Sequence, residues 1–183
     1  MSTAGISCRF ERAARTWASA ALIHHSTFIT RLNMAKDIVT SISVDIDAPA
    51  SLVWQVLTDL ERYGDWNPYT VRVESSMQLH EKVDLYLPKP DGSGELMMQR
   101  EYLLCWEPQK RLSWGMKWLH PWLLGARRDQ YLETLPDGKT RYYTTDRFSG
   151  LFTKAVMKNH GAWIKQGFDD VARQLKARAE ALV

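Results

Sequence analysis

Between residues 151 and about 182 the chain repeats apolar positions at three- and four-residue steps. Val156, His160, Trp163, Ile164, Gly167, Phe168, Val171, Leu175 and Leu182 fall on one face, which predicts a single long amphipathic helix. A helix with such a stripe must bury it against another element. Whatever precedes it has to supply one broad apolar surface.

The preceding sequence reads mostly as strands. Ile38, Thr40, Ile42, Val44 and Ile46 alternate with Val39, Ser41, Ser43, Asp45 and Asp47, the period of a half-buried strand. Asp47-Ala48-Pro49 then announces a helix, with Asp as cap and Pro in the first turn. Leu52, Val53, Val56, Leu57 and Leu60 follow helical spacing; a second short helix is expected to end near Tyr63, before Gly64 and Asn67-Pro68. Strand-like stretches follow at 71–79, 82–87, 96–106, 112–118, 127–135 and 140–148. Pro136-Asp137-Gly138 makes the last pair a hairpin. The order predicts an α+β fold: a curved antiparallel sheet of about 6–7 strands around a long C-terminal helix, with two short helices after the first strand.

Charge and cysteine content narrow the function classes. The net charge of +3 belongs to residues 1–33, where Arg9, Arg12, Arg15 and Arg31 face only Glu11. The remainder carries 20 basic and 20 acidic residues, so no electrostatic footprint for nucleic acid is present. Residues 1–33 lack a core pattern and read as a leader, either disordered or upstream of a true start at Met34. Their Arg-rich, acid-poor composition leaves organelle targeting as the alternative. The domain is therefore 34–183. Of Cys8 and Cys105 only the second lies in it, so no disulfide can form within the domain and a cytoplasmic location is expected. No apolar run reaches the ~18 residues of a membrane span. Neither metal-ligand spacing nor a phosphate-binding glycine loop occurs, and no metal or cofactor is expected.

The fragments resemble a known superfamily. They are Ile42-Ser43-Val44-Asp45-Ile46 with Ala48-Pro49 and Val53-Trp54; Tyr63 with Trp66-Asn67-Pro68; and Glu107-Pro108 leading to Leu112-Ser113-Trp114. Further on come Gly138-Lys139-Thr140, Asp146-Arg147-Phe148-Ser149-Gly150, Leu175-Lys176 and Glu180. In this order the chain is similar to the helix-grip, or SRPBCC, superfamily of polyketide cyclases and dehydrases, birch-pollen-allergen-like proteins and START-like lipid-transfer domains. The resemblance implies a deep cavity between sheet and long helix. It transfers no catalytic motif, and the family usually has Glu where this chain has Asp146.

Candidate site residues follow from parity and helical spacing. Asp146 shares a face with Tyr142, Thr144 and Phe148. In an apolar cavity its pKa would rise and it would serve as acid or base; the structural alternative is an ion pair with an arginine such as Arg100 or Arg128. His160, on the helix's apolar face, is the second catalytic candidate, or else a satisfied core group. The expected ligand-binding wall comprises Trp66, Asn67, Trp114, Met116, Trp118, Tyr142, Phe148, Val156, Trp163 and Gly167, with Gly167 leaving room beside the sheet. Asn67 could equally hold a turn. The apolar stretch 118–124, from Trp118 to Leu124, reads as a lid, a membrane or protein contact, or a loop over the core.

Three functional readings stand. The first is a carrier or binding protein for a small hydrophobic, polyketide- or lipid-like molecule. The second is a cyclase- or dehydrase-type enzyme working by acid/base catalysis, and the third is a protein-interaction module with a filled cavity. A chain beginning at Met34 is expected to unfold at the temperature of the full chain; a drop of several degrees in a thermal melt would show that residues 1–33 support the domain.

Overall fold

A computed structural model describes residues 37–118, 120 and 122–183, without the side chains of Lys117 and Trp118. The expectations for residues 1–33 and for the Trp118 side chain lie outside that description. The elements are β1 (Ile38–Thr40), β2 (Val44–Ile46), α1 (Ala50–Thr58), a 3₁₀ turn (Leu60–Arg62) and α2 (Tyr63–Trp66). Then follow β3 (Arg72–Ser75), β4 (Lys82–Pro88), β5 (Leu96–Glu107), β6 (Arg111–Trp118), β7 (Leu124–Thr134), β8 (Thr140–Ser149) and α3 (Thr153–Glu180). The antiparallel sheet runs β1-β8-β7-β6-β5-β4-β3, with β2 also on β8. The helix-grip architecture is as expected.

The first strand departs from its predicted continuity. It breaks at Ser41–Ser43, and the inward parity changes across the break: Val39 and Ser41 are buried before it, Ile46 after it. The break is held by polar partners. Ser41 N–H donates to the Thr144 carbonyl at 2.9 Å, and Thr144 N–H donates to Ser41 Oγ at 2.8 Å. Asp169 on α3 accepts the Ile42 N–H at 2.8 Å. Asp47, expected to cap α1, does not; Pro49 occupies the N-cap with no side-chain hydrogen bond.

Cross-strand register stacks the sheet's inner face in rows. Met116, Ala126 and Phe148 form one row; Trp114, Arg128, Asp146 and Val39 form the next; Leu112, Gln130 and Thr144 follow. On α3 the buried positions are Gly161, Ile164, Phe168, Val171, Ala172, Leu175 and Ala179. His160 lies beside this face and is exposed, not buried as its spacing predicted.

Gly167 makes room, but for the protein itself. A Cβ built there would lie 2.0 Å from Cδ2 of Tyr69, whose ring fills the space expected for ligand. Tyr69 also meets Trp163 at 5.0 Å and Phe168 at 5.5 Å between ring centroids. In an unobstructed helix interior, Gly→Ala gains about 1 kcal/mol. Gly167→Ala is expected instead to destabilise by about 1–3 kcal/mol. Combined with Tyr69→Ala it should cost less than the sum, as a double-mutant cycle by denaturant unfolding would measure.

Candidate functional site

The centre of the sheet's inner face is charged. Arg128 is 6% exposed, Glu101 2% and Asp146 4%. They come from β7, β5 and β8, and the register sets Arg128 directly beside Asp146. The Arg128 guanidinium lies 4.6 Å from the Phe168 ring centroid and 5.4 Å from that of Tyr69. Glu101 accepts a hydrogen bond from Gln99 at 2.6 Å. A buried charge is tolerated only when compensated. Here two carboxylates and two aromatic faces share that task.

The electrostatics follow from burial. Burial pushes the Asp146 carboxyl up to about 7; Arg128 pulls it down, while Glu101 and Asp129 add to the rise. Glu101 is also raised by burial, against Arg128 and its hydrogen bond from Gln99. Oδ1 of Asp146 is buried without a hydrogen-bond partner. Near neutral pH Asp146 therefore divides between acid and base forms, which is the condition for moving a proton in either direction.

Beside this cluster, three buried donors lack acceptors: Arg128 Nε, Trp114 Nε1 and Gln130 Nε2. Gln130 Oε1 is used, accepting from the Tyr142 hydroxyl at 2.9 Å. All three residues line a residual cavity of ≈ 10 Å³, together with Tyr69, Thr144 and Phe168. That is the room of about one water. An acceptor oxygen, whether of a water or of a ligand, would meet these donors.

The expected large cavity is divided. An open pocket of ≈ 350 Å³ lies between the sheet and the first half of α3, lined by Met116, Leu124, Phe152, Ala155, Val156, Asn159 and His160. The inner row of Met116 and Ala126 separates it from the Trp114–Arg128–Asp146 row, a step of two residues or about 7 Å along the strands. Ala126 is the smallest side chain in that intervening row.

The expected wall is brought together in part. Met116, Val156 and His160 line the open pocket; Trp114 lines the residual cavity; Tyr142 and Phe148 are buried on the inner face. Trp163 packs on Tyr69 and is half-buried. Trp66 stands elsewhere, edge-on to Tyr63 at 5.2 Å and lining a ≈ 400 Å³ groove with Leu52, Val56 and Leu182. That groove lies between the short helices and the far end of α3, so Trp66 is removed from the pocket at the helix's first half. Asn67 lines the residual cavity with Trp114 and also holds a turn, its Oδ1 accepting from the N–H groups of Tyr69 (3.1 Å) and Thr70 (2.8 Å). His160 belongs to the pocket rim, while buried Asp146 keeps company with Arg128 and Glu101. Of the arginines weighed as partners for Asp146, Arg100 pairs outward with Asp84 at 2.6 Å.

Arg128 was weighed only as an ion-pair partner for Asp146, and Glu101, Gln130 and Tyr69 went unassigned from sequence. Parity contained the signal for the first three. Ala126, Arg128, Gln130 and Leu132 alternate on β7, and Met97, Gln99, Glu101 and Leu103 on β5. Tyr69 sits in a loop, where no period exists to read.

The match of residues 37–180 is to the family described as polyketide cyclase / dehydrase and lipid transport. No curated protein matches the chain. Among solved structures, the Zhui aromatase/cyclase from Streptomyces sp. R1128 superposes with a TM-score of 0.61 at 22% identity, covering 78% of this chain and 93% of that one. The di-domain ARO/CYC StfQ from the steffimycin biosynthetic pathway gives 0.59 at 15% identity, over 80% of this chain and 52% of that one. Protein NE0264 from Nitrosomonas europaea gives 0.58 at 18% identity, over 79% and 97%. At these identities the structural likeness establishes the shared fold.

The raised Asp146 sets a pH dependence of stability. An unfolded chain releases this proton near pH 4, whereas the folded one keeps it until about 7. The native state thus binds more protons across that window, and stability falls as pH rises from about 4 to about 7, then levels. Asp146→Asn should flatten the slope between pH 5 and 8 by about 2 kcal/mol or more, measured by chemical unfolding. An unchanged slope would show that Asp146 ionises like an exposed carboxylate.

Proposed function

The chain belongs to the polyketide cyclase / dehydrase and lipid transport family, and on that premise we propose that it binds a small hydrophobic molecule carrying an acceptor oxygen. One observation carries the reading. An apolar pocket of ≈ 350 Å³ lies one inner-face row from buried donors that have no acceptor. The ligand's apolar body rests on Met116, Leu124, Phe152 and Val156. Its oxygen passes Ala126 and takes the hydrogen bonds of Arg128 Nε and Trp114 Nε1. An oxygen on the ligand would satisfy these donors, a hydrogen bond that a wholly apolar lipid does not offer. The reading of a filled interaction module requires the sheet–helix space to be closed throughout, and the open pocket argues against it.

Asp146 favours a second, enzymatic reading. Its carboxylate can take a proton from carbon next to a ligand carbonyl while the adjacent guanidinium stabilises the enolate oxygen. The enolate then attacks a second carbonyl of the same ligand, whose oxygen receives a proton. Proton transfer of this kind is worth roughly 10²–10⁴-fold in rate.

Titration of the full chain with 1-anilinonaphthalene-8-sulfonate, alongside native mass spectrometry for co-purified ligand, checks the binding reading. Val156→Trp should fill the pocket and weaken dye binding by about tenfold or more while the melting temperature holds. Unchanged binding would remove this pocket from consideration. On an identified substrate, Asp146→Asn separates the two roles: turnover falls about 10²-fold or more for an enzyme, and exchange is unaffected for a carrier.

A further inference from the structure

The pocket mouth carries exposed apolar side chains. Trp122 is 60% exposed, Leu151 69% and Phe152 40%. They stand on two turns bound to each other through the backbone. Leu151 N–H donates to the Trp122 carbonyl and Phe152 N–H to the Leu123 carbonyl, both at 3.0 Å. Gly150 lies between them at φ +99°, where a Cβ would come within 2.8 Å of the Leu123 carbonyl carbon and oxygen. Such an approach admits only glycine. Three large apolar side chains are therefore held outward by a fixed scaffold.

Two cations follow them in the chain. Lys154 and Lys158 are exposed in the first two turns of α3, and that first turn has no acidic residue. Residues 108–128 and 147–168, the two segments that meet at this end, contain no Asp or Glu. Positive charge at a helix N-terminus opposes the helix dipole. These lysines cost α3 stability, so their placement calls for a reason outside the fold. Protein interfaces are depleted of lysine, which argues against a protein partner. Exposed apolar side chains that include a tryptophan, next to lysines and free of acidic neighbours in sequence, complement an anionic bilayer.

We propose that this end of the molecule docks on an anionic lipid bilayer. Trp122, Leu151 and Phe152 enter the interfacial layer, while Lys154 and Lys158 meet the headgroups. Phe152 also lines the apolar pocket, so docking brings the pocket mouth to the bilayer. The docking stands on the surface alone; what it delivers rests on the ligand-binding reading above.

Flotation of the full chain tests it, with phosphatidylcholine vesicles against two-to-one phosphatidylcholine–phosphatidylglycerol vesicles. The chain should float with the mixed vesicles at low salt, lose binding as salt rises, and largely ignore pure phosphatidylcholine. The Lys154→Glu/Lys158→Glu and Trp122→Ala/Leu151→Ser variants should each bind about tenfold or more weakly, with a melting temperature no lower than that of the wild type and with dye binding retained. Because residues 1–33 carry arginines of their own, these variants decide the matter: full flotation by both overturns the proposal. So does a wild-type chain that never floats. A dimer seen by sedimentation, abolished by Trp122→Ala/Leu151→Ser in a chain that ignores vesicles, overturns it in favour of a second copy. Flotation retained together with absent dye binding would sink the ligand reading and leave the docking intact.

Discussion

A guanidinium in the middle of the core sets the terms for everything around it. Taking Arg128 out of water costs several kcal/mol unless charge and hydrogen bonds replace its solvent. Glu101 supplies charge from β5 and Asp146 from β8, so the register of the strands between them is fixed by electrostatics as well as by packing. Phe168 and Tyr69 supply ring faces from α3 and from the loop after Asn67. That loop is in turn held by the Asn67 carboxamide, and Tyr69 reaches the cation only because residue 167 lacks a side chain. Closing two aromatic rings on the arginine is also what reduces the interior cavity to a single water's room.

How legible was this in the sequence? The architecture was plain, because period two and period 3.6 are strong signals over long segments and the turns were chemically marked. The parity of Asp146 with Tyr142 and Phe148 places it inward, and it is inward. Arg128 was harder, since the run Arg127-Arg128-Asp129 looks like a solvated charge cluster and only one of its two arginines is buried to the core's degree. His160 misled because helical spacing defines a stripe about two residues wide. The contact with the sheet follows Gly161 and Ile164 instead, leaving His160 on the rim. Gly167 was identified as a place where space is made, but a sequence does not say who takes the space.

The interior thus divides its labour between shape and charge. The first half of α3 stands off the sheet and leaves an apolar pocket; the second half closes tightly over polar groups. Under the proposed binding function, a molecule entering at the open end would meet hydrophobic surface first and hydrogen-bond donors last.

The interruption at Ser41–Ser43 has a consequence for the company this protein keeps. A long, flat outer strand is a template on which a second chain can add its own ladder. Here the strand at the β8 side is cut into two pieces of three residues, and the Ile42 N–H at the cut is occupied by Asp169. The reversal of parity means that no incoming strand can match both pieces in one register. That edge of the sheet is thereby kept from templating aggregation, and Ser41 and Asp169, which hold the break against β8 and α3, provide the protection.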